Sequence, residues 1–295
     1  MPELPEVETI ANDLNKKLKN LVITDFKVIN ERTPRMRPLL NFVEKEFRKR
    51  IVGFKINEIN RRAKNIVIRI EKHYLIFHLK MTGQLVFKEC NKDKCKILVG
   101  GHPIMGLGNE LPNKFTRAVI GFNNDSFLYF NDVRRFGWIK LFTENEYIEY
   151  QKTLGIEPLS KEFTLKKFQE ILNKKKNVKI KQAIMEQKYL VGVGNIYADE
   201  SLFEAGIKPM RVVKALSEAE IKKIWQAILR ILRLAIKHRG TSFSDYLDSE
   251  GRKGNFIKYL KVYGRTGQKC LRCGGIVMKT KIGGRGTHWC EECQK

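Results

Sequence analysis

The spacing of hydrophobic residues predicts one helix followed by a series of strands in the first half of the chain. After Pro5, which suits the first turn of a helix, apolar residues recur at helical spacing: Val7, Ile10, Ala11, Leu14 and Leu18. Short segments rich in β-branched and aromatic residues come next: residues 22–29, 51–59, 65–70, 74–79, 118–122, 127–130 and 138–142. This pattern favours a β-sandwich or barrel with a flanking helix.

A long loop interrupts this strand pattern at residues 90–114, which are rich in glycine and carry two prolines. Cys90 and Cys95 lie at its start without a second cysteine pair nearby. They are therefore predicted to be ordinary thiols.

Helical periodicity replaces the strand pattern from about residue 145. Ser217 and Glu220 form a capping-box pattern before an apolar stripe at helical spacing, and Gly240 marks its end. This is the clearest helix in the sequence. Residues 241–267 have little apolar periodicity and are predicted to form a loop that orders on binding.

A second helix is predicted over residues 196–205, and a tight glycine turn leads into it. Asn195 follows that turn, which makes it the expected N-cap. Free N–H groups and the positive dipole at a helix start also suit a phosphate group, so capping and phosphate contact are compatible roles. Lys176 belongs to a run of three lysines upstream, which alone would be a solvated face.

Four cysteines near the end of the chain have the spacing of a metal site. They form the pattern Cys270-x2-Cys273, sixteen residues, Cys290-x2-Cys293, which is typical of a tetrahedral four-thiolate zinc site. Because all four positions would be filled by protein, the pattern predicts one structural zinc ion. Basic residues and glycines between the pairs, including Arg285, suit a phosphate contact, although a solvated charged hairpin explains them equally well.

The charge balance points to a polyanion as partner. The chain has 57 Lys plus Arg against 32 Asp plus Glu, a net charge of +25, with an ordinary 42% of hydrophobic residues. No segment offers the ~20 uncharged apolar residues of a membrane span, and the acidic N-terminus differs from a secretory signal. We therefore expect a cytoplasmic protein without membrane contact.

Two turns carry residues that suit contact with bases. Arg134 and Phe136 lie at a predicted turn between strands, and Met81 lies at another. Such residues are most often surface or core residues. An adjacent arginine and ring can also wedge between base pairs, with the guanidinium donating to an unpaired base.

The N-terminus offers a candidate nucleophile. Removal of Met1 would expose the secondary amine of Pro2, and an α-amine has a pKa of about 8, far below that of lysine. Secondary amines form iminium ions with sugar aldehydes. Taken alone, Pro2 is more simply a helix-start residue.

Several motifs together carry a resemblance to a known family. They are PELPEVET at residues 2–9, RRAK at 61–64, HLKMTG at 78–83, NDVRRFG at 131–137, VGVGNIYA at 191–198 and the cysteine hairpin. In this order and over essentially the whole chain, the sequence resembles the bacterial formamidopyrimidine-DNA glycosylases.

The resemblance implies an α+β multidomain fold with DNA in a cleft. Its parts are an N-terminal catalytic β-sandwich domain with a flanking helix at 1–144, a helix-two-turn-helix domain with a lesion-capping loop at 145–264, and a four-cysteine zinc finger at 265–295. It also implies a base-excision-repair enzyme that removes oxidised purines from duplex DNA and cuts the strand by β,δ-elimination. A monomer is expected.

The resemblance also implies roles for single residues. Pro2 is the nucleophile, Glu3 supplies protons, and Lys64 and Arg285 are tied to the elimination steps. His78, Asn195 and, on charge alone, Lys176 match phosphate contacts. The residues matching those that fill the space of the extruded base are Met81, Arg134 and Phe136.

The sequence departs from the family pattern at several places. Val133 replaces a common proline, and Phe115 stands where some members carry a DNA-contacting histidine. The loop at 90–114 is also longer than usual. These departures bear on the turn at 131–137 and on one DNA contact.

Two other functions account for part of the sequence. Endonuclease VIII shares the chemistry of Pro2 and Glu3 but removes oxidised pyrimidines, and Leu4 argues against it because those enzymes usually carry glycine there. A non-enzymatic zinc-ribbon protein that binds nucleic acid would explain the charge and the cysteines. It would leave Pro2, Glu3 and Lys64 without a role.

Overall fold

The computed structural model describes residues 1–29, 39–91, 94–101, 110–241 and 255–295. The described residues form two compact units. The first contains Met1–Gln151 together with Thr241, and the second contains Lys152–Gly240 and Asn255–Lys295. Residues 242–254 of the predicted lesion-capping loop lie outside the described residues, as do 92–93 and 102–109 of the predicted insertion.

The first unit contains two antiparallel sheets and flanking helices. Its helices are α1 (Leu4–Leu18), α2 (Glu44–Ile51) and α3 (Glu144–Lys152). Its strands are β1 (Ile23–Val28), β2 (Ile56–Arg62), β3 (Asn65–Ile70), β4 (His73–His78), β5 (Gly83–Asn91), β6 (Lys94–Gly101), β7 (Thr116–Phe122), β8 (Phe127–Asp132) and β9 (Trp138–Thr143).

The strands form a five-stranded sheet in the order β1-β7-β8-β5-β6 and a four-stranded sheet in the order β2-β3-β4-β9. One hydrophobic cluster takes residues from both sheets and from α1, including Leu14, Phe26, Ile68 and Phe130. The N-terminal β-sandwich with a flanking helix is therefore confirmed.

Helix α1 begins where the sequence predicts it. Val7, Ile10, Leu14 and Leu18 are buried and pack into the core cluster, which is the reason for their helical spacing. Polar contacts set its position on the four-stranded sheet. The guanidinium of Arg61 contacts Glu8 at 2.6 Å.

The segment from residue 44 to residue 62 differs from the prediction of one strand at 51–59. It contains helix α2, which ends at Ile51, and strand β2 begins only at Ile56. Of α2 only Phe47 and Ile51 are buried, so the helix shows too few apolar positions for its period to be visible.

The predicted insertion loop is partly a hairpin. Strands β5 and β6 pair antiparallel, with Cys90 opposite Cys95. These two cysteines form a disulfide, so the prediction of separate thiols is wrong. Pairing across the hairpin brings their Cα atoms to 4.0 Å, whereas the C-x4-C spacing alone does not indicate contact.

The second unit begins with helices. They are α4 (Leu165–Asn173), α5 (Ile180–Ile184), α6 (Asn195–Ala205) and α7 (Glu218–Lys237). The capping box of Ser217 and Glu220 is present at the start of α7, as predicted. The N-cap of α6 is Gly194 rather than Asn195, because Asn195 already has helical backbone and its side chain turns to another partner.

The same unit ends with a two-stranded hairpin of β10 (Val277–Ile282) and β11 (Arg285–Cys290). Gly283 and Gly284 join the strands with φ values of 55° and 78°, which a two-residue hairpin turn of this kind requires. Cys290 ends β11, and Cys293 follows three residues later. The boundary predicted at residue 265 stays a prediction.

Among the helices of the described ranges, none combines the length and apolar character that a bilayer crossing requires.

Candidate active site

The N-terminus of the chain lies against the start of α1. Pro2 directly precedes Glu3, the N-cap of α1, and Glu3 is only 4% exposed. Glu3 and Glu6 form a capping box in which the Glu6 carboxylate accepts the Glu3 N–H at 3.0 Å. The candidate nucleophile is therefore attached to a residue whose backbone is held rigidly.

Glu6 also holds the residue at which the predicted lesion-capping loop begins. Its Oε1 accepts hydrogen bonds from the backbone N–H of Thr241 at 2.7 Å and from the Thr241 hydroxyl at 2.9 Å. One carboxylate thus joins the N-cap of α1 to Thr241. The sequence pattern Glu3-x-x-Glu6 signals the capping box, but it contains no signal for Thr241.

Burial lowers the pKa of the α-amino group in the chain that carries Met1. The charges of Glu3 and Glu6 oppose this shift, and the charge of Lys64 supports it. A lower pKa favours the neutral, nucleophilic form of an amine at this position.

Lys64 lies in the turn between β2 and β3, beside Ala63 with a φ of 57°. Its side chain is buried, with the residue 6% exposed. The Lys64 charge influences both the N-terminal amine and the imidazole of His78. The structure therefore brings Glu3, Lys64, His78 and the N-terminus into one electrostatic group.

His78 ends β4 opposite Trp138, and the two rings lie 5.4 Å apart. Its Nδ1 accepts the backbone N–H of Lys80 at 3.0 Å. Burial, and then the charges of Lys80 and Lys64, lower the pKa of His78 to about 3. The ring is neutral, and its remaining proton is on Nε2, which is free of that bond.

The three predicted base-contact residues lie on two neighbouring crossovers between the sheets. One crossover joins β4 to β5 and carries Met81, and the other joins β8 to β9 and carries Arg134 and Phe136. The strands that flank them are paired, with Gly83 opposite Asp132. The sheet topology therefore explains why two motifs about fifty residues apart lie at one place.

The two crossovers are joined by side-chain hydrogen bonds around Asp132. Its carboxylate accepts the hydroxyl of Thr82 and, at 2.7 Å, the backbone N–H of Gly137. The Thr82 oxygen in turn accepts the backbone N–H of Arg134 at 3.0 Å. A Cβ at Gly137 would lie 2.6 Å from the Phe130 ring, so a side chain does not fit there.

The side chains on these crossovers are exposed despite their apolar character. Met81 is 44% exposed and Phe136 is 50% exposed, while the Arg134 guanidinium lies 4.6 Å from the Phe136 ring centroid. These turns therefore expose a paired cation and ring at the surface.

The remaining predicted contact residues lie in the second unit. Arg285 is exposed at the first position of β11, and Asn195 at the start of α6 donates from Nδ2 to the carbonyl of Gly286 at 2.9 Å. Asn195 and Arg285 are therefore neighbours. Lys176 is exposed in the segment before α5, and its carbonyl accepts the backbone N–H of Lys214.

The four cysteines of the hairpin form a metal site. Their Sγ atoms all lie within 4.8 Å of one another, with Cys270 and Cys293 at 3.8 Å and Cys273 and Cys290 at 3.5 Å. Tetrahedral zinc with bonds of about 2.3 Å places its sulfur ligands about 3.8 Å apart. The thiols therefore fit one zinc ion held entirely by protein.

Comparison with known proteins agrees with this arrangement along the whole chain. Residues 1–139 match the formamidopyrimidine-DNA glycosylase N-terminal domain, and 154–246 match the formamidopyrimidine-DNA glycosylase H2TH domain. Residues 267–295 match a zinc finger found in FPG and IleRS. A two-sheet catalytic domain, a helical domain and a four-cysteine finger define the class of zinc-finger DNA glycosylases.

Individual relatives match over their full lengths. The formamidopyrimidine-DNA glycosylase of Prochlorococcus marinus is 39% identical over 306 residues, with all of both chains covered. A Lactococcus lactis FPG mutant in complex with a Fapy-dG containing DNA has a TM-score of 0.85 at 33% identity, with both chains fully covered. The Lactococcus lactis Fpg bound to an abasic site containing DNA has a TM-score of 0.83, with 99% of each chain covered.

The chain belongs to the formamidopyrimidine-DNA glycosylase family, and it is a DNA repair glycosylase.

Proposed function

We propose that this enzyme removes oxidised purines, chiefly 8-oxoguanine and formamidopyrimidines, from duplex DNA and then cuts the strand at the resulting site. The observation that carries this proposal is the group formed by the N-terminal amine, Glu3, Glu6 and Lys64. It places two carboxylates and a buried ammonium around the N-terminus, where burial lowers the pKa of the amine in the chain that carries Met1. These are the groups that amine catalysis on a sugar requires.

In the proposed first step, the nitrogen of Pro2 attacks C1′ of the damaged nucleotide after Met1 has been removed. The bond between C1′ and the base breaks, and the base leaves with the bonding electrons. Glu3 protonates O4′ as the sugar ring opens, while the proton on the Pro2 nitrogen is lost. The product is an iminium ion between Pro2 and C1′.

The iminium then withdraws electrons from the neighbouring carbon. Loss of a C2′ proton expels the 3′ phosphate by β-elimination, and a second elimination expels the 5′ phosphate. Lys64 and Arg285 are the cations proposed to serve these steps, because each departing phosphate carries negative charge. Lys64 is buried beside the amine, whereas Arg285 is exposed on the finger.

The phosphate contacts are assigned to His78, Asn195 and Lys176. His78 is suited to donate from Nε2 as a neutral ring, since the Lys80 N–H occupies Nδ1. The net charge of +25 adds sequence-independent attraction to the duplex. Met81, Arg134 and Phe136 are proposed to fill the space of the extruded base, with Arg134 facing the orphaned cytosine.

The zinc ion, when bound, supplies cross-links that fold the finger and takes no part in the reaction. We further propose that the enzyme acts as a monomer in the cytoplasm. Light scattering of the purified chain tests whether it is a monomer, and a molar mass of twice that of the chain would contradict this proposal.

The experiment that tests the proposed chemistry is borohydride trapping on a duplex containing 8-oxoguanine. Borohydride reduces the iminium, so a covalent protein–DNA product of defined mass is expected. A preparation whose intact mass shows that Met1 is absent should trap, and one that retains Met1 should not. The Glu3→Gln variant is the matched control, because it keeps the amine and removes the proton donor.

A second duplex separates this proposal from an endonuclease VIII activity. Leu4 supports the purine enzyme, and faster base release from 8-oxoguanine than from an oxidised thymine is the expected result. The reverse preference would assign the pyrimidine activity. Failure of the zinc-loaded, Met1-free protein to trap on either duplex would leave only nucleic-acid binding.

A further inference from the structure

Lys181 is a buried cation that none of the proposed steps uses. It lies in α5, and its side chain is 1% exposed. Its Nζ contacts three oxygen atoms: Asp199 Oδ1 at 2.7 Å, Thr287 Oγ1 at 2.8 Å and the Gly286 carbonyl at 3.2 Å. The contacts with Thr287 and Gly286 are hydrogen bonds, and the contact with Asp199 is a buried ion pair.

Asp199 extends these contacts to the next residue of the finger. It lies in α6 with its side chain fully buried, and its Oδ2 accepts the backbone N–H of His288 at 2.8 Å. The same oxygen faces His288 Nδ1 at 3.2 Å. Asn195 lies one helical turn before Asp199, and its amide binds the carbonyl of Gly286.

The contacts reach Arg285 itself through one hydroxyl. The Thr287 Oγ1 that accepts from Lys181 donates to the carbonyl of Arg285 at 3.2 Å. Side chains of α5 and α6 thus hold the backbone at Gly286 and His288 and the hydroxyl of Thr287, which in turn binds the Arg285 carbonyl. The side chain of Arg285 is left exposed.

The turn before Arg285 is held by the same helix. A Cβ built on Gly283 would lie 2.7 Å from the side chain of Gln182, which follows Lys181 in α5. The tip of the hairpin therefore packs closely against α5 on one side of Arg285, and the charged network holds it on the other.

A buried ion pair is a costly way to gain stability alone. Desolvation of an ammonium and a carboxylate opposes folding, and apolar residues of equal volume commonly stabilise a protein at least as much as a buried ion pair does. The charged pair additionally fixes the position of the finger, because each of its hydrogen bonds requires a defined position of the finger backbone. The zinc ion fixes the cysteine end of the hairpin, which is the opposite end from Arg285.

We propose that Lys181, together with Asp199, is a positioning residue that aims Arg285 at the phosphate leaving in the second elimination. This inference rests on the proposed function and adds to it a cause for the placement of Arg285. Loss of the pair should leave base release and the first elimination nearly intact. The second elimination should slow, because a misplaced donor loses most of its effect on the reaction.

The test is the double variant Lys181→Met with Asp199→Leu. It removes both charges together, so no single buried charge is left without its partner. The zinc-loaded variant should still give the borohydride adduct on 8-oxoguanine duplex. Its ratio of δ- to β-elimination product should fall roughly tenfold. The matched control is Arg211→Met, which breaks the ion pair with Glu220 in the same unit and should lower Tm without changing that ratio.

A cycle with Arg285→Ala separates positioning from general loss of structure. In the Arg285→Ala background, the double change should have no further effect on the product ratio, because no guanidinium remains to be aimed. An unchanged ratio in the double variant, or an additive loss in the Arg285→Ala background, would overturn the proposal.

A milder variant covers the case in which the double variant does not fold. Thr287→Val keeps the volume and removes only the hydroxyl between Lys181 and Arg285, so a smaller fall in the same ratio is expected. An unchanged ratio of δ- to β-elimination product in folded Thr287→Val would overturn the proposed role of the Thr287 hydroxyl in linking Lys181 to Arg285. Failure of the parent enzyme to trap with borohydride would instead reject the proposed function, which distinguishes the two outcomes.

Discussion

The backbone N–H of Lys80 donates to Nδ1 of His78 over 3.0 Å, and this contact decides which proton the imidazole carries. Because Nδ1 is an acceptor, the neutral ring holds its proton on Nε2. Lys80 reaches this position with a φ of 52° in the crossover that also carries Met81. The tautomer of a proposed phosphate contact is therefore set by a turn of the backbone.

For His78 we expect a neutral ring with its proton on Nε2 throughout the range from pH 5 to pH 8. Its folded pKa of about 3 lies below the ordinary value of 6.5, so the unfolded chain takes up a proton first as pH falls. Stability should decline from pH 6.5 downward, by at most about 1.4 kcal/mol per pH unit for this residue. ¹⁵N NMR of the imidazole gives the tautomer.

The His78→Gln variant provides the comparison for this prediction. It keeps an N–H donor but does not titrate, so its free energy of unfolding should change less between pH 7 and pH 4 than that of the parent. Equal pH dependence in both proteins, or a ring proton on Nδ1, would contradict the assignment.

Substitution of Glu6 by Gln should make the N-terminal amine more acidic. The Glu6 charge raises the pKa of the amine in the chain that carries Met1. We expect the same direction for the Pro2 amine of the processed chain, so removal of the charge should lower that pKa and the neutral amine should form at lower pH. The pH of half-maximal borohydride trapping at an abasic site should therefore move downward. Glu8→Gln is the control, because Glu8 pairs with Arg61 at 2.6 Å. A shift in the opposite direction, or the same shift in both variants, would show that the charge of Glu6 does not act on the amine.

Replacement of Phe136 by Ala should weaken lesion processing without unfolding the protein. Phe136 is 50% exposed, so its loss should change stability by no more than about 0.5 kcal/mol. Loss of a ring that stacks in the duplex should reduce excision about tenfold or more. Phe127→Ala removes a ring that is 40% exposed on β8 and should leave excision unchanged. Similar losses in both variants would indicate a general effect of exposed rings.

Removal of zinc should unfold the finger and abolish productive binding. The Cys290→Ser variant is expected to lose the metal, because it removes one of four thiols that lie within 4.8 Å of one another and would hold the ion together. The paired Cys90→Ser and Cys95→Ser changes should retain one zinc ion per chain, since these residues form the hairpin disulfide. The zinc content of both variants after treatment with a chelator is measured by metal analysis. Retention of zinc by Cys290→Ser would show that three cysteines hold it.

Much of the molecule follows patterns that are local in the sequence. The apolar stripe of α1, the capping box of Ser217 and Glu220, and the paired C-x-x-C motifs each report geometry within a few residues. The sequence pattern does not predict helix α2 or the hairpin of β5 and β6. Few of the α2 positions are buried, and the predicted loop at 90–114 covered much of the hairpin.

The sequence by itself determined the strand-rich and helix-rich parts, the zinc ligands and, through resemblance, the residues expected to act on DNA. Only the tertiary structure decided how those residues are held. Thr82 and Asp132 are 50 residues apart, and Lys181 and Thr287 are 106 apart. Local periodicity records which face of an element is buried. It does not record which distant polar group that face meets, because chain topology brings the two together.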